Sequence, residues 1–448
     1  MKKWLAAGLA AALALGCIGM TAEADEGDLV QLKVKNKEWK DTQVFMREGR
    51  VFADPKALEK GGEWKISSDG GAYFVSVPTG KKGELSSVRL PVGEDGLADL
   101  TFFADQAGLS YKLNEKKKEI KFSKGKEEKK KTGKGSVLIM WDPDENFDPS
   151  QPFFTEKAGS RVISPTWGTH REMAAGRRYF PISYIENAEK AGVSVMPLVN
   201  NDFDPDSTAA LLRDEAGKEK FYQGLAAYAE VYGLSGWNID FENMDPKDKD
   251  RFTDFIKDLS DRLHKNGKKV SVDITVISDD PNSFWNSGYD RKALAKYADY
   301  EILMGYDQTA GGSRHAGPVS AYNWLDASLP KLLKEIPANQ LVLGLPFYTR
   351  VWTGEDGGVN SDVLTQMYTD DFTRRHKIMP QWLDKERQFY ADWNESGVRK
   401  RVWFEEGRSL AEKLSLIEKY KLAGAAFWRY GFENGDLYGQ MEDALKHS

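Results

Sequence analysis

The densest run of residues able to do chemistry is Ser235-Gly236-Trp237-Asn238-Ile239-Asp240-Phe241-Glu242-Asn243. Polar and apolar side chains alternate along it. In an extended strand, residues two apart share a face, so Asn238, Asp240 and Glu242 point one way and Trp237, Ile239 and Phe241 the other. Two neighbouring carboxyls in a partly dry site repel as anions, so one must keep its proton to higher pH. A carboxyl raised in this way is a general acid near neutral pH. The alternative is a solvated strand end carrying two ordinary acids. Acids buried on a strand are rare without a purpose, which favours the chemical reading.

Such a strand needs neighbours to position it. From about residue 136 onward, short apolar runs alternate with amphipathic stretches. The runs are 137–141, 162–165, 193–199, 236–241, 270–276, 300–306, 341–347 and 423–428. Helical patterns at 218–232, 246–266 and 410–420 fall between them. Eight strand–helix units over about 310 residues predict a (β/α)8 barrel, an α/β fold. Asn238 and Asp240 then point inward, and Glu242 lies at the C-terminal mouth where barrel enzymes carry their chemistry. A doubly wound open sheet is the rival; no Gly-rich phosphate loop follows the first strand, which counts against it. The stretch 348–405, between the last two runs, is long and aromatic and reads as an irregular insertion on the loop side.

The rest of the chain sets boundaries. It has 448 residues, a formal charge of −6, one Cys and five His. That charge does not suit a nucleic-acid surface. One Cys excludes a disulfide framework or a Cys-based zinc site, and His170, His264, His315, His376 and His447 show no metal-ligand spacing; no metal and no cofactor are expected. Residues 1–24 read as an export signal, with Lys2 and Lys3, an apolar stretch and Ala22-Glu23-Ala24 as cleavage site. Leu15-Gly16-Cys17 is a weaker lipoprotein alternative. No later segment is long and apolar enough to span a bilayer. Residues 123–135 form a Lys/Glu/Gly-rich linker. Before it, 25–122 reads as a small α+β domain with a weak internal repeat: a short helix, a Gly stop at Gly61-Gly62 or Gly108, and a two-strand hairpin. The expected organisation is therefore signal 1–24, small domain 25–122, linker 123–135 and barrel 136–448.

Four motifs in order give the barrel a family resemblance. The run 235–242 resembles DGxDxDxE, the strand-four signature of glycoside hydrolase family 18, the chitinase-like barrels. Gly236, Asp240 and Glu242 match; Ser235 and Asn238 replace Asp, as is usual in a spore-cortex and cell-wall branch with an N-x-D-F-E-N form. Met304-Gly305-Tyr306-Asp307-Gln308 resembles the strand-six motif MxYD. Residues 343–348 and 424–429 resemble strands seven and eight. The resemblance implies a retaining, substrate-assisted glycosidase acting on β-1,4 bonds next to N-acetylglucosamine in peptidoglycan or chitin. Glu242 would protonate the glycosidic oxygen, the sugar's own acetamido group would attack, Asp240 would orient that group, and Tyr306 would donate to it. Asn238 stands where an Asp usually couples to the middle acid; Asn can still hydrogen-bond Asp240 but cannot share its charge. The repeat in 25–122 resembles the stalk domain of copper amine oxidases, which implies an adhesion or spacer module and no copper chemistry.

Of the 13 Trp, 10 lie beyond the linker. Trp faces stack on sugar rings, which makes Trp428, at the end of strand eight, the expected floor of a sugar cleft. Trp141, Trp167 and Tyr348 also lie near strand ends, and Met304, Asp307, Gln308 and Asn238 complete the expected substrate contacts. A secreted or cell-wall-associated monomer acting on an N-acetylglucosamine polysaccharide is the leading expectation. The rivals are a non-catalytic glycan-binding barrel and a surface adhesion protein whose active part is the stalk-like domain.

Overall fold

The computed structural model describes residues 29–39, 41–79, 84–124, 136–148, 150 and 159–435. The signal segment 1–24 and all but the start of the segment 123–135 lie outside the described residues.

Eight parallel strands close on themselves: β1 (Val137–Asp142), β2 (Ser160–Thr169), β3 (Leu198–Asn200), β4 (Gly236–Asp240), β5 (Lys269–Ile274), β6 (Tyr300–Met304), β7 (Leu341–Pro346) and β8 (Gly424–Trp428). Each pairs with the next, and β1 pairs with both β2 and β8. The fold is a (β/α)8 barrel. β2 is ten residues long, beyond the expected four, and carries a register shift between Thr166 and Gly168. The third apolar run breaks into Ser194–Val195 and β3.

Alternation sorts the side chains. Val137, Ile139, Trp141, Val162, Met196, Leu198, Ile302, Val342 and Ala426 pack inside the barrel. Trp237, Ile239, Val270, Val272, Leu343 and Phe427 face outward into the helical layer. The helix Lys249–Leu263 shows why that layer forms: Phe252, Phe255, Ile256, Leu259 and Leu263 recur at helical spacing and are all buried. Gly267, at a φ of 68°, ends this stretch before β5. Gly236 opens β4 because a Cβ there would lie 2.1 Å from the Lys269 carbonyl oxygen.

The insertion after β7 is regular, not irregular. Tyr348–Thr353, Asn360–Thr365, Gln381–Leu383, Gln388–Glu395 and Val398–Phe404 form a five-stranded antiparallel sheet. Its small core of Val351, Leu364, Ala391, Val402 and Phe404 explains the alternating aromatic and β-branched sequence.

Residues 29–124 are β-rich. Two stretches each run from a strand through a short helix into a hairpin: Arg50–Ala53, Pro55–Lys60, Lys65–Asp69 and Ala72–Pro78, then Ala98–Asp99, Leu100–Gln106, Leu109–Asn114 and Glu119–Lys124. The first helix is a 3-10 helix, set by Pro55 at its start and the Asp54 cap. The stretches touch at Gly61, where a Cβ would lie 2.2 Å from the Ala107 carbonyl oxygen. This region packs directly on the barrel's helical layer. Phe103 and Phe102 meet Tyr232 at ring separations of 5.9 and 6.5 Å. Arg89 N–H donates to the Gly176 carbonyl at 2.8 Å. Arg50 forms paired 2.7 Å bonds to Glu186 and another to Asp99.

Candidate active site

β4 delivers the acids. Its inward positions are Asn238 and Asp240, buried to 0% and 9% exposure, and the next same-side position is Glu242, just past the strand at the mouth. The Glu242 backbone is held from β3's loop: Asn201 Nδ2 donates to its carbonyl at 2.7 Å, and Asn201 Oδ1 accepts its N–H at 3.0 Å. Asn243, at a φ of 52°, donates its side-chain amide to the Phe203 carbonyl at 2.8 Å. Phe203 and Asp202 are also left-handed, at 54° and 56°. A bulky residue held there is strained, and such strain collects at functional sites.

Burial pushes Asp240 up to about 7. It pushes Glu242 well above the usual carboxylate range, and the nearby Asp240, Asp273 and Asp307 charges push it further. One oxygen of Asp240 is buried without a hydrogen-bond partner. No cation is among the groups that shift these two carboxyls, so a proton is retained among them to higher pH, as general acid chemistry needs.

Opposite the acids lies an aromatic group. Tyr306, just beyond β6, meets Trp428 at 6.5 Å, Tyr348 at 6.4 Å and Trp141 at 6.3 Å between ring centroids. Burial, and then the charges of Asp273 and Asp240, raise the Tyr306 hydroxyl far above its ordinary range, so it stays a neutral donor. Trp428 is half-buried at the end of β8. Trp141 lies beneath it at 1% exposure, its centroid 5.9 Å away and its indole N–H bonded to Asn238 Oδ1 at 2.8 Å. Tyr348 donates to Asp307 Oδ1 at 2.7 Å, and Arg350 reaches the same oxygen at 3.4 Å.

The site thus brings together Asn238, Asp240, Glu242, Tyr306, Asp307, Tyr348, Trp141 and Trp428. Met304 ends β6 at 9% exposure. Gln308 bonds its own loop, accepting the Ala321 N–H at 3.0 Å. Trp167 lies outside the site: it is fully buried and stacked on Phe180 at 4.2 Å.

Asn238 does not use its capacity to bond Asp240. Its amide donates to Asp273 Oδ1 at 2.8 Å and Ser271 Oγ at 3.1 Å. The register explains this, since Asn238 pairs with Ser271 across β4 and β5. Asp273 was missed by sequence reasoning, although its signal was available. It alternates with Ser271 in an otherwise apolar run, the same pattern that marked Asp240. Asn201 and Tyr289 were missed too. Tyr289 is 4% exposed and donates to the Phe241 carbonyl at 2.8 Å, beside Glu242. It follows β5 after a long loop and carried no spacing signal.

A (β/α)8 barrel with proton-balanced carboxyls and an aromatic wall at its C-terminal mouth defines a hydrolase-type barrel enzyme. The profile of glycosyl hydrolases family 18 matches residues 121–433, and the chain belongs to that family; it is a glycoside hydrolase. It is similar to the uncharacterized glycosylase YvbX of Bacillus subtilis, 27% identical over 274 residues that cover 59% of this chain and 79% of that protein. The cortical fragment-lytic enzyme of B. subtilis is 27% identical over 240 residues, 52% of this chain and 55% of that enzyme, so this chain spans little more than half the relative's length. Among solved structures, the chitinase of Chromobacterium violaceum superposes with a TM-score of 0.61 at 23% identity, over 69% of this chain and 99% of that one. The Bacillus cereus spore cortex-lytic enzyme SleL gives 0.61 at 19%, over 70% and 75%. At those identities the likeness is one of fold.

Proposed function

We propose that the protein is a retaining glycosidase that cleaves β-1,4 bonds next to N-acetylglucosamine, with peptidoglycan of the cortex or cell wall as first substrate and chitin as second. The observation that carries this reading is a raised, partly exposed Glu242 beside a buried Asp240, both near Tyr306, which packs against Trp428. Glu242 gives its proton to the glycosidic oxygen. The substrate's acetamido oxygen attacks the anomeric carbon, Asp240 accepts the acetamido N–H, and Tyr306 donates to the acetamido oxygen. Glu242, now a base, takes a proton from the water that opens the intermediate, and configuration is retained. Trp428 is the floor under the sugar; Tyr348, Asp307, Met304 and Gln308 shape that subsite, while Asn238 and Trp141 support it from below. Peptidoglycan is placed first because a cortical fragment-lytic enzyme is among the relatives and the N-x-D-F-E-N form suits that branch.

Residues 1–24 export the chain, 25–122 form a stalk-like module ahead of the barrel domain 136–448, and the enzyme works outside the cell or at its wall as a monomer. The test is Glu242→Gln on muropeptides and on chitooligosaccharides, with reducing ends identified by mass spectrometry. The variant is expected to lose turnover while keeping its fold. Wild-type turnover on both substrates would remove Glu242 as the acid, and cleavage of neither by the wild type would favour a glycan-binding barrel.

A further inference from the structure

Three inward-facing carboxyl groups lie at or near the barrel mouth on two adjacent strands, and the reaction above uses two. The third, Asp273 of β5, is 1% exposed, against 9% for Asp240. Pairing runs Asn238 to Ser271 and Ile239 to Val272. Continuing that register sets Asp273 beside Asp240 on the same inner face, at the spacing of neighbouring strands.

The hydrogen bonds beneath this pair run in one direction. An indole N–H only donates, so the Asn238 atom that accepts from Trp141 at 2.8 Å must be its oxygen. The Asn238 NH2 is left to donate, and it does so to Ser271 Oγ and Asp273 Oδ1. The chain of donors therefore ends on one oxygen of Asp273, Oδ1. On the neighbouring strand, Asp240 Oδ1 is buried with no partner. The titratable groups bearing on the pair are Glu242 from β4, Tyr289 after β5 and Tyr306 after β6, with Asp307 bearing on Glu242 and Arg291 on Tyr289. The groups that bear directly on the pair are acids or phenols, and the Arg291 guanidinium acts on Tyr289 rather than on either carboxyl, so two adjacent charges here would be uncompensated. The more deeply buried carboxyl is the one that keeps the proton.

We propose that Asp273 is a positioning residue: a protonated carboxyl that donates a hydrogen bond to Asp240 and holds Asp240 as the charged, correctly turned partner of the substrate. Asp273 does not touch the sugar. Its proton stays between the two carboxyls through the cycle, and the catalytic proton remains that of Glu242. The inference rests on the proposed glycosidase reaction, but one of its tests does not.

Asn at position 273 imitates the protonated acid, since it accepts from Asn238 through oxygen and donates to Asp240 through nitrogen. Ala does neither. In the full-length protein, Asp273→Asn is expected to keep kcat within about 3-fold and to move the alkaline limb of the pH profile upward, because the neutral donor can no longer ionise. Asp273→Ala is expected to lose kcat by roughly 10- to 100-fold, the scale of a hydrogen bond to a charged group, with KM nearly unchanged. Equal losses in the two variants would overturn the proposal, as would a pH profile for Asp273→Asn that superimposes on wild type. The independent readout is an infrared difference spectrum: subtracting Asp273→Asn from its parent at neutral pH leaves a protonated-carboxyl C=O band, both in wild type and in the Glu242→Gln background, where the contributions of Glu301 and Glu405 cancel. Absence of that difference band in the Glu242→Gln background overturns the assignment, whatever the enzyme's substrate.

Discussion

Glu405 and Asp240 are both buried carboxyl groups in one chain, and burial pushes each up to about 7. Their surroundings are opposite. Glu405 joins the insertion's last strand to the helix Gly407–Tyr420. It is held there by the ammonium of Lys413, itself 0% exposed, by Gln388 Nε2 at 2.6 Å and by Ser409 Oγ at 3.4 Å. Asp240 has acids and phenols around it and one oxygen with no partner. Burying a carboxylate is costly, and a matched cation with added donors offsets much of that cost. Where the protein needs only a fixed joint, it supplies the cation. Where it needs a transferable proton on the neighbouring Glu242, it withholds the cation, and protons held among the clustered carboxyls offset their charge.

The comparison can be broken from either end. Glu242→Gln removes the transferable proton and should lower turnover by ~10³-fold, within the range for general acid loss. It should leave thermal stability equal to or above wild type, because it also removes a repelled carboxyl. A large drop in melting temperature would mean that the mouth acids are structural after all. Lys413→Met makes the converse cut. It leaves Glu405 buried without its cation and should destabilise the fold by about 3–5 kcal/mol in denaturant titrations, with kcat nearly unchanged in the protein that remains folded. Adding Glu405→Leu to that variant should restore most of the loss, since an apolar pair of similar volume is often no worse than a buried ion pair. If the double variant is no better than the single one, the joint depends on something other than charge matching.

The sequence made one side of this contrast visible and hid the other. Asp240 and Glu242 stood out because their alternation with Trp237, Ile239 and Phe241 is local, and a two-residue period survives without knowledge of the fold. The order of the eight apolar runs carried the barrel for the same reason. Asp273 obeyed the same period in β5 yet was absorbed into an apolar run. Glu405 and Lys413 are eight residues apart across a strand–helix joint, a pairing that only tertiary structure defines. The Trp count misled in part: Trp141, Trp167, Trp237 and Trp352 are fully buried, since a large flat ring fills a barrel's layers as readily as it stacks on a sugar. The insertion hid its sheet because its strands pair across turns and a helix of uneven length.

A smaller, pH-dependent effect sharpens the contrast. Asp240, Asp273 and Glu242 are all raised in the fold. Between about pH 4, where free carboxyls ionise, and about 7 for Asp240, the folded chain holds protons that the unfolded chain has released. The unfolded state then binds fewer protons, so stability falls as pH rises through this window, by about 1.4 kcal/mol per pH unit for each retained proton. Denaturant titrations at pH 5 and pH 8 should show that loss, and Asp240→Asn should flatten the slope by about one proton. An unchanged slope would place the protons elsewhere, with Glu405 and Glu301, also raised by burial, as the next positions to substitute.

The gentlest case is a third carboxyl arrangement, at the contact between residues 29–124 and the barrel. Arg50 bridges Asp99 and Glu186, but its side chain is 32% exposed, so water already screens much of the attraction. Here a cation is supplied, as at Glu405, without full burial. Arg50→Ala should therefore cost only about 1 kcal/mol, far less than Lys413→Met, and the loss should shrink as salt is raised. The aromatic contact of Phe102 and Phe103 with Tyr232 should keep the two regions unfolding together in a single transition. Two separated transitions in Arg50→Ala would instead show that the ion bridge, and not the aromatic contact, couples the N-terminal region to the barrel.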